Sequence, residues 1–504
     1  MAAALRDIPP LACLLIIAAL MMMGPALHAL WLEEYFVGRV FFWHGMFFLV
    51  IGSMIAMASS RARPAMRPGR EILTLLLAYA ALPVMLATPM VPLAPTFTFG
   101  QLYFEMVSCL TTTGATVFDA PERLPDPVHL WRGMVGWAGG FLILVAAVAI
   151  LQPLNLGGFE IRAAMARGQG EAQRALRTDE PPSLRLGHHA LALLPIYAGL
   201  TLALTFGLMA AGDRALVALV HAMSVLSTSG ITPLRDFSQA ASGHVGEALV
   251  LVFIVIAISR RSTTLGWRQV RGRPFDIGPE YRLAAVAVLG VTALLFLRHF
   301  VGAYEVSVQE DVVGALSAFW GTLFNTLSFM STTGFNSRDW AAAQDWSALQ
   351  TPGLILLTLC MMGGGIATTT GGVKLLRVYA LYKHGVREMQ RMIHPNSVGG
   401  AGVTARRIRR EGAQIAFVFV MLLLLASSLL LLILTALGTN FDVAMALGVA
   451  ALTNTGPAAE LIIPNLSYGL LEGPERLVLS AAMILGRVEV LVLISLFNPD
   501  FWRE

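Results

Sequence analysis

The fold class that this sequence predicts is an all-α polytopic membrane protein, with two N-terminal transmembrane helices followed by four pseudo-repeated units. Of its 504 residues, 56% are hydrophobic and only 13% are charged, and the mean hydropathy is +0.69. Many segments approach the roughly 20 apolar residues that cross a bilayer. Four short glycine-centred turns recur, each directly after an apolar segment. The candidate spans are residues 11–30, 37–59, 71–90, 131–151, 187–211, 244–259, 281–300, 350–376, 412–437 and 475–498.

The first two spans form a region of their own, because no repeated turn accompanies them. No small-residue cleavage site closes the first apolar stretch, so we interpret it as a retained span and not as a signal peptide. The predicted regions are the two N-terminal helices at 1–60, the first unit at 61–156, a loop with the second unit at 157–273, the third unit at 274–400 and the fourth unit at 401–504.

The four turns have closely similar sequences. They read Thr-Thr-Thr-Gly-Ala-Thr, Ser-Thr-Ser-Gly-Ile-Thr, Ser-Thr-Thr-Gly-Phe-Asn and Thr-Asn-Thr-Gly-Pro-Ala, with their glycines at Gly114, Gly230, Gly334 and Gly456. A short segment precedes each turn, and most of these segments are too short to cross a bilayer. We therefore predict re-entrant helices followed by non-helical turns, which survive at membrane depth only inside protein or a wet cavity. The short segments are 99–110, 214–226, 313–330 and 441–452.

Four such turns in one chain can build a ring of carbonyl oxygens that replaces the hydration shell of a monovalent cation. Glycine permits positive φ and leaves a narrow path open, and the C-terminal end of each short helix carries partial negative charge that favours a cation. The predicted architecture is thus four M1–P-loop–M2 units around a central ion pore; the alternative is four loop turns with helix caps. The candidate filter residues are Thr112, Thr113, Gly114, Thr228, Ser229, Gly230, Thr332, Thr333, Gly334, Asn454, Thr455 and Gly456.

A glycine-rich stretch interrupts the second span of the third unit. Five glycines fall within residues 363–372, and each weakens a helix by roughly 1 kcal/mol relative to alanine. We predict an intramembrane gating loop beneath the filter, although close helix packing also uses small residues. Lys374 either lines this loop or extends its charged end toward the membrane surface. The candidate gate residues in the loop are Gly363, Gly364, Gly365, Gly371, Gly372 and Lys374.

Arg487 lies about twelve residues into the last predicted span. A charge at that depth costs roughly 2.5–3.5 kcal/mol on insertion scales. We predict that Arg487 projects into the pore as a barrier to cations. The alternative is a bond to a carbonyl or to Glu489, of which the latter is disfavoured because residues two apart lie on nearly opposite faces of a helix.

Three further polar residues lie on the short helices. We interpret Glu105 as a hydrogen-bonding anchor, with a coupling-ion site as the alternative. His221 is interpreted as a packing or capping residue, with a proton relay as the alternative. Asp442 is interpreted as a capping charge at the start of its helix.

Charge placement predicts the orientation in the membrane. Arginines concentrate in the loops at 60–70, 157–186, 260–273 and 377–410, which the positive-inside rule assigns to the cytoplasm. Both termini are then cytoplasmic, and the turns face the outside. These basic loops indicate topology and lipid contact, and nucleic-acid binding is not expected. The three cysteines show neither a disulfide framework nor metal-ligand spacing.

The chain resembles the Trk/Ktr/HKT superfamily of potassium transporters, and within it the TrkH/TrkG type. The motifs extend over nearly the whole chain, and the two additional N-terminal spans fit this branch. They are Ser108-Cys109-Leu110-Thr111-Thr112-Thr113-Gly114-Ala115-Thr116, Leu130-Trp131-Arg132-Gly133, Phe329-Met330-Ser331-Thr332-Thr333-Gly334-Phe335, Thr370-Gly371-Gly372-Val373-Lys374, Val386-Arg387-Glu388-Met389-Gln390-Arg391-Met392-Ile393-His394-Pro395, Asn454-Thr455-Gly456-Pro457, Leu485-Gly486-Arg487-Val488-Glu489 and Pro499-Asp500-Phe501-Trp502-Arg503.

The resemblance implies that the four turn glycines form a K+ selectivity filter, gated by the glycine-rich loop and Arg487. Plant-type relatives that prefer sodium have serine at the first glycine, so Gly114 favours potassium. Two features depart from the pattern: Ser229 precedes the second glycine, and Ala458 stands where relatives often have another glycine. The strictness of selection is therefore left open, and so is the choice between channel-like passage and symport with H+ or Na+.

The resemblance also implies a homodimer in the cell inner membrane, regulated by a TrkA-like cytosolic subunit that binds NAD(H) or another nucleotide. The chain itself has no nucleotide-binding motif, because Gly363-Gly364-Gly365 lacks the lysine and hydroxyl residue of a P-loop. We expect K+ as the transported ion and no organic cofactor. The alternative functions are Na+/K+ co-conduction and secondary transport of an organic solute. An enzyme is not expected, because no nucleophile–base pair or paired carboxylates occur in the spans.

Overall fold

The structure is a computed structural model that describes residues 9–59, 68–152, 154, 156, 182–258, 279–302, 312–347, 349, 351–394, 410–463, 466–490 and 492. Within these ranges every regular element is helical. Eight helices in the described residues are long and apolar enough to cross a membrane. The predicted all-helical, polytopic fold is therefore confirmed. Most of the arginine-rich loops and the motif at 499–503 lie outside the described residues.

The N-terminal region consists of two spans, as predicted. The first span comprises two helices, α1 (Pro10–Met21) and α2 (Met23–Trp31), which follow each other almost without a break. Pro25 contributes to the interruption, because it has no N–H to donate to the preceding turn. The second span is α3 (Tyr35–Ser59), which packs against both α1 and α2.

Each of the four units contains a long helix, a shorter helix that ends in a glycine turn, and at least one returning helix. The first unit contains α4 (Pro68–Ala87), α5 (Phe99–Leu110) and α6 (Asp126–Ala146). The second contains α7 (Pro182–Ala210), α8 (Ala215–Ser227) and α9 (Gly243–Ile258). The third contains α10 (Pro279–Gly302), α11 (Val312–Met330), α12 (Trp340–Ser347), α13 (Gly353–Met362) and α14 (Leu375–Ile393). The fourth contains α15 (Arg410–Ala436), α16 (Phe441–Leu452), α17 (Pro457–Ile462) and α18 (Gly473–Val488).

The predicted short segments correspond closely to helices. α5 and α16 have the predicted bounds, and α8 is shifted by one residue at each end. α11 begins one residue before its predicted bound, and its 19 residues are long enough to count among the eight candidate spans. Its length adds turns at the N-terminal end, so its C-terminal end still meets the third glycine turn.

Two predicted spans are not continuous helices. The span predicted at 350–376 is divided into α13 and α14 by the glycine-rich stretch, as the sequence indicated. The span predicted at 475–498 was wrong as a single helix, because α18 ends at Val488 and Glu489 has a φ of +70°. The carboxylate of Glu489 forms an ion pair with Arg377 at 2.8 Å, a contact that fixes this break from another unit.

Small residues let the returning helices approach the ends of the short helices. A methyl group on Gly139 of α6 would overlap the carbonyl oxygen of Leu110 at the end of α5, and one on Gly486 of α18 would overlap that of Leu452 at the end of α16. Units one and four thus use the same glycine-to-carbonyl contact. This packing places α6 and α18 directly behind the turns that follow the short helices.

Candidate functional site

The four turns share an unusual backbone. The second residue of each turn is not glycine, yet it has positive φ: +56° at Thr112, +50° at Thr228, +60° at Thr332 and +53° at Asn454. Such left-handed conformations cost energy outside glycine and persist only where the surroundings enforce them. The repeat in sequence is therefore also a repeat in conformation.

The structure brings all four turns together. A methyl group on Gly114 would overlap the carbonyl oxygen of Ser229, and one on Gly230 would overlap that of Thr333. A methyl group on Gly334 would lie 3.1 Å from the ring of Pro457. The backbone N–H of Gly456 donates to the carbonyl of Thr113 at 2.6 Å. The turns therefore contact one another in chain order, and the fourth closes on the first.

Hydroxyl pairs support the turns from within. The side-chain oxygens lie 2.8 Å apart for Thr111 and Thr113, 3.0 Å for Ser227 and Ser229, 2.8 Å for Ser331 and Thr333, and 3.4 Å for Thr453 and Thr455. All of these side chains are buried. The hydroxyls thus bond to one another and to nearby carbonyls, in accord with the predicted role of holding the backbone in place.

In the first unit a polar brace connects the short helix to the residues beyond its glycine. Glu105 on α5 accepts a hydrogen bond from the backbone N–H of Val117 at 2.9 Å and one from the Thr116 hydroxyl at 3.2 Å. It also pairs with Arg132 of α6 at 2.7 Å. The buried carboxylate is therefore fully engaged, as the anchor interpretation of Glu105 requires.

The second and third units carry braces of different chemistry at the same place. Nε2 of His221 lies 2.9 Å from the Thr232 hydroxyl, and the ring packs edge-on against Phe237 and Phe335. Asn325 contacts the side chain of Asn336 at 3.2 Å and accepts from the N–H of Ser337 at 2.8 Å. These contacts fit the packing interpretation of His221.

The predicted capping role of Asp442 is met only in part. Asp442 lies in the first turn of α16, where its charge faces the positive helix end, but the N-cap position is Asn440 and has no side-chain capping bond.

The glycine-rich segment 363–374 lies against the turns. The N–H of Gly371 donates to the hydroxyl of Thr332 at 3.0 Å, and the hydroxyl of Thr228 donates to that of Thr369 at 3.0 Å. A methyl group on Gly371 would overlap the carbonyl oxygen of Thr453. The segment therefore contacts the second, third and fourth turns, in the place that the sequence predicted for a loop beneath the filter.

Two glycines of this segment combine a left-handed backbone with close contacts, because a methyl group on Gly363 would overlap the carbonyl oxygen of Gly371 and one on Gly372 that of Cys360. Gly363 has a φ of +66° and Gly372 one of +74°. Gly364 and Gly365 follow Gly363 directly and are buried, and a methyl group on either would lie within 2.8 Å of another atom. All five predicted glycines therefore belong to one compact loop.

Arg487 and Lys374 both bond to carbonyls of this loop. Arg487 donates from Nη1 to the carbonyl of Thr369, and Lys374 donates from Nζ to the carbonyl of Thr370. Both side chains are buried and line a small cavity below the loop. Arg487 therefore makes the carbonyl bond that was the predicted alternative, and its side chain also lines the cavity. Lys374 lines the loop, and its charged end is buried.

The role of Arg377 was not predicted from the sequence. This side chain is fully buried, pairs with Glu489 and lies over the ring of Phe419 at 3.8 Å. It thereby connects the start of α14 to α15 and to the end of α18. The available signal was an arginine directly after the glycine loop in an otherwise apolar stretch, but nothing in the sequence identified Glu489 as its partner.

An acidic residue, Glu460, follows the fourth turn. Glu460 of α17 opens to solvent beyond Gly456. Protein around the remaining sides of the carboxylate, together with the charges of Asp236, Asp119 and Glu105, raises the pKa of Glu460 to about 8. Glu460 is therefore mostly protonated at neutral pH and adds little negative charge beside the fourth turn.

Comparisons with known proteins agree with this arrangement. Residues 282–503 match the family model TrkH, which is described as a cation transport protein. The chain is 31% identical over 433 residues to the Trk system potassium uptake protein TrkH of Halomonas elongata, with 84% of this chain and 83% of that protein covered. It is 29% identical over 478 residues to the protein of the same name from Salmonella typhimurium, with 93% of each covered.

A solved structure is similar over the full length. The crystal structure of the potassium transporter TrkH from Vibrio parahaemolyticus superimposes with a TM-score of 0.80 at 25% sequence identity, and the alignment covers 100% of this chain and 99% of that one. The likeness therefore includes the two N-terminal spans as well as the four units.

Proposed function

The chain belongs to the TrkH family of cation transport proteins, and from this premise we propose that it carries K+ across the cell inner membrane through the ring formed by its four turns. Membership in this family confirms the expected resemblance and the expectation of a transporter and not an enzyme. The observation that carries the proposal is the contact of each turn with the next, ending in the bond from Gly456 to Thr113. Backbone oxygens gathered in this way suit a dehydrated monovalent cation.

We propose the loop 363–374 as the gate of this pathway. Its contacts with Thr228, Thr332 and Thr453 support a resting position directly against the filter turns. The bond from Arg487 to the Thr369 carbonyl would hold it there, and the positive charges of Arg487 and Lys374 would oppose cations in the cavity. Opening then requires the loop to leave these partners.

We further propose a homodimer that is controlled by a TrkA-like cytosolic subunit binding NAD(H) or another nucleotide. The homodimer follows from the family resemblance alone, whereas the cytosolic subunit is also supported by the surface of α14, which carries Lys383, Arg387 and Arg391 beyond the gate loop. Because α14 begins where the loop ends, a partner that pulls on α14 would act directly on the gate. Both termini are proposed to be cytoplasmic, with the filter turns facing the outside.

Rubidium uptake in a strain that lacks its own potassium uptake tests the proposed function. Expression of the chain should restore growth at low K+ and uptake of Rb+. Uptake measured with and without a proton gradient distinguishes channel-like passage from coupled symport, and Na+ uptake measures co-conduction. Failure to restore growth by protein that reaches the membrane would refute the proposal.

A matched pair of glycine variants connects this transport to the filter. Gly334→Ala places a methyl group on a residue with a φ of +79° beside Pro457, so uptake should be lost. Gly290→Ala in α10, where a methyl group would meet nothing within 4 Å, should leave uptake unchanged.

A further inference from the structure

The fourth turn departs from the other three in its glycine. Gly114, Gly230 and Gly334 have φ values of +76°, +67° and +79°, whereas Gly456 has φ −53° and ψ −46° and begins the short helix α17. Its peptide is therefore oriented differently from the corresponding peptides of the first three turns. The Gly456 carbonyl accepts from the backbone N–H of Ala459 at 3.2 Å, at the start of α17, and a side chain supplies its second bond.

The brace found in the first three units is absent from the fourth. Glu105, His221 and Asn325 each lie seven residues before the left-handed residue of their turn, and the corresponding residue of the fourth unit is Leu447. Their partners Thr116, Thr232 and Asn336 each lie four residues after it, where the fourth unit has Ala458. Leu447 and Ala458 are both buried and have no side-chain donor or acceptor.

Tyr468 supplies a hydrogen bond to the fourth turn from a different direction. Its hydroxyl donates to the carbonyl of Gly456 at 2.8 Å, and its side chain is only 2% exposed. The ring packs against Phe104 of α5 with centroids 5.8 Å apart. A buried tyrosine hydroxyl normally has a partner, and here that partner is the filter glycine itself.

The segment around Tyr468 is fixed to the first unit. The side-chain amide of Gln101 donates to the carbonyl of Gly469 at 3.1 Å, and the hydroxyl of Ser467 donates to the carboxylate of Asp119 at 2.8 Å. Residues 466–471, which we call the outer strap, thus extend from the fourth unit to the first. The strap crosses the junction at which Gly456 bonds to Thr113.

We propose that Tyr468 is a positioning residue for ion selectivity, because its hydroxyl holds the Gly456 carbonyl in the orientation that the missing brace does not enforce. The proposal rests on the proposed filter function. The N–H of Gly456 belongs to the preceding peptide and donates separately to the Thr113 carbonyl, so Tyr468 acts on one of the main-chain oxygens of the ring. A discriminating ring needs these oxygens at fixed separations, since a ring that relaxes around a smaller ion loses its preference.

The test is Tyr468→Phe, which removes the hydroxyl and keeps the ring. Reversal potentials under opposed K+ and Na+ gradients give the selectivity ratio, and we expect this ratio to fall about fivefold, the equivalent of about 1 kcal/mol for one hydrogen bond. The matched control is Tyr103→Phe, because the Tyr103 hydroxyl donates to the carbonyl of Ala80 at 3.1 Å, away from the turns. The control should keep the original ratio.

A second variant tests the proposal if Tyr468→Phe does not fold. Gln101→Glu keeps the side-chain oxygen that accepts from the N–H of Thr98 at 2.9 Å and replaces the amide that donates to Gly469. The strap should loosen and the ratio should fall in the same direction, because an added surface charge attracts K+ and Na+ alike. Melting temperature is followed in parallel, since a merely structural role changes stability without changing the ratio.

The outcomes separate the two proposals. An unmodified chain that passes no K+ refutes the transport function. An unmodified chain that selects K+, with Tyr468→Phe folded and equally selective, overturns the role of Tyr468 alone. If only Gln101→Glu folds, an unchanged ratio in that variant overturns it as well.

Discussion

At the scale of single residues, Arg487 makes the clearest connection between charge and gating. It donates to the Thr369 carbonyl from a buried position in α18, so its removal takes away both a bond that holds the loop and a positive charge in the cavity. Hydrogen bonds to charged groups contribute about 1.5–3 kcal/mol. We therefore expect Arg487→Ala to raise K+ flux on the order of tenfold.

The control for this change lies on the same helix. Leu477 of α18 is 68% exposed, so Leu477→Ala should leave flux through the gate unchanged. Rubidium uptake by cells with equal amounts of each variant measures the difference. Equal flux in Arg487→Ala and the unmodified chain would contradict the barrier role.

The role of a residue could be predicted where it depends only on the neighbouring sequence. The depth of Arg487 in an apolar segment and the glycine content of the loop are visible in the sequence. Arg377 is different, because its meaning depends on Glu489, 112 residues away in the chain. Tyr468 is likewise visible only as one tyrosine in an outer loop, and its contact with Gly456 exists only after the fourth unit meets the first.

At the scale of elements, the loop 363–374 depends on the absence of side chains. Gly371→Ala would push a methyl group into the Thr453 carbonyl and weaken the bond from the Gly371 N–H to Thr332. We expect the loop to leave its resting place, flux to rise, and stability to fall by about 1–3 kcal/mol, as is usual for overpacking.

Gly385→Ala is the matched control for the loop. A methyl group there meets nothing within 4 Å, and alanine favours α14 by roughly 1 kcal/mol. Flux should stay the same, and the melting temperature should stay the same or rise. A Gly371→Ala protein with unchanged flux would show that the loop does not limit transport in its resting position.

Helix boundaries could be predicted where chemistry changes along the chain. α5 begins at a capping box formed by Thr98 and Gln101 and ends at the hydroxyl-rich turn, so both limits are visible in the sequence. The end of α18 is not, because the apolar run continues past Glu489 to residue 497. Hydropathy therefore indicates a single span, whereas a tertiary ion pair ends the helix.

At the scale of the whole molecule, the proposed orientation can be tested by thiol labelling. Leu470 in the outer strap is 83% exposed, and Met392 at the end of α14 is 76% exposed. We expect a membrane-impermeant thiol reagent to label Leu470→Cys in intact cells and Met392→Cys only after permeabilisation. The reverse pattern would invert the proposed topology.

The native cysteines interfere little with this labelling experiment. Cys109 and Cys360 are buried, and only Cys13 is partly accessible. Both new cysteines are therefore introduced into the Cys13→Ser variant, and that variant without a new cysteine is the unlabelled control. Labelling of both positions from one side would contradict a path that crosses the membrane between the turns and α14.

The number of units could be predicted from the sequence, because four turns recur at similar spacing. Their order around the ring could not, since four similar segments can be arranged in more than one way. The structure places consecutive turns side by side, with the contacts from Gly114 to Ser229 and from Gly230 to Thr333. The chemistry of the braces also differs from unit to unit, because each brace contacts a different set of neighbouring residues.

The close approach of each turn glycine to the adjoining turn has a consequence for how such a protein can diverge. A bulkier residue at one turn glycine is tolerated only if the adjoining turn moves away. Compensating changes should therefore occur in neighbouring units and not in opposite ones. The effects of double replacements at adjoining turns on the free energy of unfolding should then depart from additivity, whereas replacements at opposite turns should act independently.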